Sequence, residues 1–333
     1  MGVRDVGVVS RAEGVEEAER QEADETVTDA PRSSVKDRAE RRRREMRAGV
    51  AMTIVGGVMW GLNGTLSKVL MDDYAVEPLW LACVRELTAC WLFLAVAWAR
   101  DSRRVRACLA DRHAVRGLVS VGICSILLSQ VAYLEAIDWT NSATATVLQS
   151  LSVAIVMAYV CLVDRRRPRR RELAGVVLAL AGTYLVATGG NPAALSLPPE
   201  GLAWGLCCAV AATILAIQPV GLIGRWGNFT VNGFAFLVSG IVLLATTQPW
   251  AHMPVLDARG WALIAFSVVL GTFGAYGLYL QGVRRVGSVR GSMLATSEPL
   301  TAMLTSVVLT GVAFTPADLA GFAMIIAMVF LTA

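Results

Sequence analysis

Four charged residues lie in otherwise apolar runs: Lys68, the adjacent pair Arg85 and Glu86, and Glu298. In lipid, a charge at the centre of an isolated helix costs about 2.5–3.5 kcal/mol on insertion scales, so such side chains turn into a bundle or reach an interface. Depth in the segment separates the two. Lys68 is near the end of its run, where snorkelling to headgroups and facing a pathway are both open. Arg85 and Glu86 lie deeper; Arg85 suits a pathway or an interhelical contact, and Glu86 suits pairing with it or facing another helix. Glu298 directly precedes Pro299, which removes a backbone donor and opens a bend. A carboxylate there can take a proton, meet a cationic group of a solute, or fix a contact between helices.

Asn63, Gln130, Gln149, Tyr133, Tyr276 and Tyr279 add hydrogen-bonding groups within or near apolar segments, and Trp204 adds a stacking surface. Each is also explained by polar contacts between helices, or for tryptophan by an interfacial position. With Lys68, Arg85 and Glu298 they form the candidate set for a solute pathway or gate. The two histidines, His113 and His252, are far apart, and the seven cysteines lack paired metal-ligand spacing. No metal or cofactor is therefore expected. "GTFGAYG" lacks the Lys-Ser/Thr ending of a phosphate loop, and no convergent acid–base set is visible, so an enzyme is not expected.

The elements that position these residues follow from composition. Of 333 residues, 55% are hydrophobic and 17% charged, against about 25% charged in a soluble domain. Residues 1–47 hold 11 basic and 12 acidic side chains, leaving 19 and 14 for the other 286. This first segment is expected to be a disordered charged tail, within which "SVKDRAERRRREMRAG" can become helical against anionic lipid. Beyond it, stretches of roughly the 20 residues needed to span lipid fall near 49–70, 79–99, 115–136, 142–163, 172–189, 200–221, 231–249, 260–281, 291–311 and 316–333. The count shifts by one if the chain splits near Pro219 or fuses around Gly271.

Charge orients the ten. With the tail inside, the inner connections hold sixteen arginines, including the six of "DRRRPRRRE" at 164–172, while the outer ones hold Arg259 alone. Both termini are then cytoplasmic. That arginine run has no interleaved aromatics to stack on bases and spans a short turn, so it reads as a topology determinant and not as a nucleic-acid site.

An offset near 146 lays "YLEAIDWTNSATATVLQSLSV" from Tyr133 over "YLQGVRRVGSVRGSMLATSEP" from Tyr279, and "ELAGVVLALAGTYLV" from Glu172 over "DLAGFAMIIAMVFLT" from Asp318. Five segments per half make equivalent elements run oppositely, and the loop charges agree: "DRRRPRRRE" becomes the arginine-free "GVAFTPAD". The expected fold is an all-α polytopic membrane protein of ten transmembrane helices in two inverted five-helix repeats, 48–190 and 191–333, after the tail at 1–47. With "WGLNGTLSK", "VRELTACWLF" and "SEPL" in order, the chain resembles the EamA-type branch of the drug/metabolite transporter superfamily over residues 49–333.

That resemblance implies a secondary transporter in a plasma membrane, in a bacterium the inner or cytoplasmic one, exporting a small metabolite, amino acid or drug-like solute by alternating access. Partners expected are that solute, membrane lipids and protons coupled through Glu298, with no nucleic acid. Small-residue patterns suit a homodimer as well as packing of one half on the other. A non-transporting sensor or assembly protein is the alternative reading, and a membrane-embedded enzyme the more distant one.

Overall fold

The computed structural model describes residues 32–191 and 195–332, except for the side chains of 32–37, 39, 288, 289, 292 and 332; the first 31 residues of the expected tail lie outside it. The described residues fall into two units, divided between residues 48 and 49. The described part of the first, 32–48, is helical, and its Arg41 and Glu45 pair at 3.5 Å across one turn.

Helix α1 runs Arg32–Tyr74, and its portion from Glu40 is one of eight spans among the described residues long and apolar enough to cross a membrane. The others are α2 (Pro78–Ala110), α3 (Arg112–Trp139), α4 (Ser142–Val163), α5 (Arg170–Thr188), α6 (Pro199–Trp226), α7 (Asn228–Thr247) and α8 (Ala258–Val286). Two further helices follow, neither among those eight: α9, in the pieces Ser288–Leu294 and Ser297–Thr310, and the shorter apolar α10, Pro316–Thr332. The chain is an all-α polytopic membrane protein. Pro219 does interrupt α6, whose first piece ends at Ile217.

Local chemistry sets the ends. Pro78 opens α2, where its missing N–H is not needed. The carboxylate of Asp111 accepts the His113 N–H at 2.9 Å, Asn141 accepts that of Thr144 at 2.9 Å, and Asp257 accepts that of Gly260 at 2.7 Å, capping α3, α4 and α8. Gly189 and Gly311 close α5 and α9 with φ of 60° and 68°, where a side chain would be strained. Glu172 at the start of α5 takes the Arg169 N–H and binds both terminal nitrogens of Arg166 at 2.8 and 2.9 Å, so part of the arginine run is folded into a helix cap.

Helix α2 packs along α7 and α5 along α10, while α3 and α4 lie on α6. Water does not drive helices together in lipid, so close packing must hold them. One core stacks Phe93 on Phe236 with centroids 5.5 Å apart; a second joins Leu148, Phe322, Ile325 and Met328. Leu162, Leu180 and Val308, each more than two-thirds exposed, point away from the bundle, as lipid-facing residues do.

The backbone departs from α-helix at matched positions. A π-helical stretch occupies Gly122–Leu127 in α3 and Ser267–Gly274 in α8. Breaks fall at Ser150–Leu151 in α4 and Ala295–Thr296 in α9. From 122 to 267 and from 150 to 295 the separation is 145 residues in each case.

Candidate functional site

The two helix breaks meet. At the first, the Ser150 hydroxyl donates to the Thr146 carbonyl at 3.0 Å, and the chain passes Leu151 in tight turns before Ser152 restarts the helix. At the second, the Thr296 hydroxyl donates to the Met293 carbonyl at 2.7 Å, and the Glu298 N–H to that of Ala295 at 2.9 Å. Ser297 then restarts α9 with Glu298 in its first turn and Pro299, which has no N–H to lose, next. Irregular backbone at membrane depth is tolerated where it lines a polar cavity or is buried in protein. Here a cavity of about 190 Å³ lies between the breaks. Its polar wall is Thr146, Gln149, Ser150 and Ser152 from α4, Tyr279 from α8, and Thr296 and Glu298 from α9; Val153, Pro299 and Val329 complete an apolar side.

Glu298 sits at the N-terminus of the second piece of α9, where the helix dipole favours an anion. The Gln149 side-chain oxygen is buried without a hydrogen-bond partner. Tyr279 packs against Trp60 at 4.8 Å between centroids, and Trp60 meets Tyr276 edge-on at 4.9 Å. The Tyr133 hydroxyl lies 3.0 Å from that of Thr146 and so backs the cavity wall.

Helix α1 reaches this site through its glycines. A Cβ on Gly61 would lie 2.9 Å from the Ala302 amide nitrogen and overlap the Glu298 carbonyl, so only glycine permits α1 to lie on α9 there. Four hydroxyls continue along the same contact: Thr65 meets Ser142 at 2.7 Å and Thr305 at 2.6 Å, and Ser142 meets Ser306 at 2.9 Å, tying α1, α4 and α9 together beyond the cavity.

Of the sequence candidates, Gln149, Tyr279 and Glu298 line the cavity, and Tyr133 and Tyr276 stand behind it. Arg85 is 5% exposed, and its guanidinium reaches only the Thr272 hydroxyl, at 3.4 Å, in the π-helical stretch of α8. Asn63, 3% exposed, fills the space left by Gly271 in the same stretch. Glu86 turns toward α7, where Ser239 is beside it, and forms no ion pair with Arg85, because consecutive residues project in different directions from a helix. Lys68 stands apart: its ammonium binds Asp72 at 3.0 Å and donates to the Asp138 carbonyl at 2.8 Å, at the C-terminal end of α3. Trp204 packs on the first core, and Gln130 is half-buried in α3. Sequence reasoning missed Thr146, Ser150, Ser152 and Thr296, although "SATATVLQS" and "SMLATSEPL" carry hydroxyls at equivalent positions. Among the described residues no group of three or more His, Cys, Asp or Glu could hold a metal ion.

Residues 47–188 and 199–333 match the EamA-like transporter family in two successive stretches. The chain is 31% identical over 288 residues to a Salmonella typhimurium protein described as the uncharacterized inner membrane transporter YicL, covering 86% of this chain and 95% of that one. A solved crystal structure superimposes with a TM-score of 0.59 at 19% identity, covering 84% of this chain and 96% of the other, a likeness of fold.

Proposed function

The chain belongs to the EamA-like transporter family, whose members are transporters and not enzymes, and from that membership we propose that it is a secondary carrier exporting a small polar solute by alternating access. The observation that carries the reading is the meeting of two broken helices at a polar cavity, the arrangement by which transporters present freed backbone groups to a substrate. The cavity's 190 Å³ falls below the roughly 300–1,000 Å³ of drug-sized sites, which favours a small metabolite such as an amino acid over a bulky compound.

In this reading ten helices cross the membrane as two inverted repeats of five, 48–190 and 191–333. The 145-residue recurrence of the π-helical stretches and breaks supports it, as do the pairings α2 with α7 and α5 with α10. Arginine placement puts both termini in the cytoplasm, and the similarity to YicL supports a bacterial inner membrane. On that orientation the Thr65–Ser142–Thr305–Ser306 hydroxyl cluster lies on the outer side of the cavity and closes it there.

Glu298 couples transport to protons. It is the carboxylate on the cavity wall, and a protonated and an ionised form would hold the two breaks together differently. Flux in proteoliposomes under an imposed pH gradient tests this: Glu298→Gln is expected to abolish the response to the gradient. Flux indifferent to pH in the wild type, or an unchanged response in the variant, leaves a facilitative carrier instead.

A further inference from the structure

A guanidinium offers five N–H donors and accepts nothing. That of Arg85 is buried, makes one long hydrogen bond to the Thr272 hydroxyl, and leaves both Nε and Nη1 without partners. Thr272 itself donates to the Ser267 carbonyl at 2.9 Å, so its remaining capacity is to accept from Arg85. The surroundings are equally unfinished. The side-chain oxygens of Asn63, packed against Gly271, and of Ser267 are also buried without partners. Buried polar atoms are nearly always satisfied, so four orphaned atoms around one π-helical stretch mark a place built for something polar.

Charge narrows what that is. Arg85 takes part in none of the ion pairs among the described residues; Glu86, the next residue, is within electrostatic range of it but turns to Ser239 of α7 and makes no direct contact with the guanidinium. Tyr133 and Tyr276 lie within electrostatic range of both Arg85 and Glu298. Tyr133 touches the cavity wall at Thr146, and Tyr276 touches Trp60, which packs on Tyr279 of the same wall. A single positive charge, flanked by hydroxyl and amide groups in an apolar bundle, is neutralised by a single negative one. A phosphate dianion would leave excess charge, and a cation would be repelled.

We infer that Arg85, with the Tyr276 hydroxyl, forms an anion subsite that takes a carboxylate of the transported solute. The inference rests on the carrier reading and specifies its substrate class: organic carboxylates that enter from the cavity past Tyr133 and Tyr276. The Glu298 carboxylate on the cavity wall is free for the solute's opposite end or for a proton.

Thermal unfolding of the full-length protein in detergent tests the subsite against a pool of small amino, hydroxy and keto carboxylates and a pool of the matching primary amides. Ligands that bind only the folded state raise the midpoint with concentration. The carboxylate pool is expected to raise it in the wild type, the amide pool to leave it unmoved. Arg85→Gln should weaken the apparent affinity roughly ten-fold or more, as loss of a charge-assisted contact does, and Arg85→Lys should keep part of it. Should Arg85→Gln fail to fold, Tyr276→Phe is expected to weaken the same response. No shift with carboxylates, an equal shift with amides, or wild-type affinity in folded Arg85→Gln overturns the subsite. Flux in proteoliposomes separates this from the carrier reading. Carboxylates that bind without crossing overturn the carrier and leave the subsite. Solutes lacking a carboxylate that cross equally in wild type and Arg85→Gln overturn the subsite and leave the carrier.

Discussion

Three acidic residues of this chain do different jobs, set by what each carboxylate faces. Glu298 faces a cavity, Glu86 is buried against α7, and Asp257 caps α8 in a connection. The Gly260 N–H holds the Asp257 carboxyl below the ordinary carboxylate range, with the Tyr74 hydroxyl, 2.8 Å away, helping. Asp111 at the start of α3 is held down likewise by the N–H groups of Ala114 and His113. A depressed folded value means the stabilisation is present above the unfolded value of about 3.9 and is lost as pH falls through the folded value beneath it. The unfolding midpoint should therefore drop steeply with acid below that range. Asp257→Asn keeps an acceptor for the Gly260 N–H but cannot be protonated, so its midpoint should fall less steeply than the wild type's; parallel pH profiles would show that the cap contributes nothing to acid sensitivity.

At the scale of elements, the site depends on four interruptions of helix and on a glycine seam that lets α1 lie on α9. Gly61→Ala places a methyl against the Glu298 carbonyl and the Ala302 amide, both backbone atoms that cannot swing aside. Overpacking of this kind costs about 1–3 kcal/mol. The variant should unfold at lower temperature and lose flux, whereas Gly224→Ala in α6, with open space around it, should match the wild type in both. A Gly61→Ala protein with wild-type stability and flux would show that α1 is free to move off α9. That the chain is an all-α polytopic membrane protein was legible, because apolar length is a strong signal in a membrane chain. Pro299 likewise flagged a bend beside Glu298. The break at Ser150–Leu151 was not legible, since neither residue opposes a helix by itself and the interruption becomes tolerable only when a second broken helix faces it. Lys68 was ambiguous for a related reason: the Asp138 carbonyl that accepts its hydrogen bond belongs to the end of another helix, 70 residues away. Hydroxyl residues gave no warning either, because each can bond its own helix backbone, as Thr301 and Thr305 do, as readily as a solute.

For the whole molecule, the decisive question is whether the matched irregularities arise from halves of opposite orientation. The α4–α5 connection and the turn after α9 occupy equivalent places 146 residues apart in sequence, and only the first is arginine-rich. Equivalent elements separated by five crossings lie on opposite faces; by an even number they would share one. Arg167 and Ala313 are exposed in these two connections, and Cys124 and Cys207 are the cysteines not buried. In a background with those two replaced by serine, a membrane-impermeant maleimide applied to intact cells should label Ala313→Cys and spare Arg167→Cys, with the pattern reversed in inside-out vesicles. Labelling of both positions from one face would remove the inverted repeat, and with it the symmetry that lets one cavity open alternately to two sides. The opposite-face result would leave α4 and α9, broken at the same depth and running in opposite directions, as the pair whose relative motion exposes the cavity.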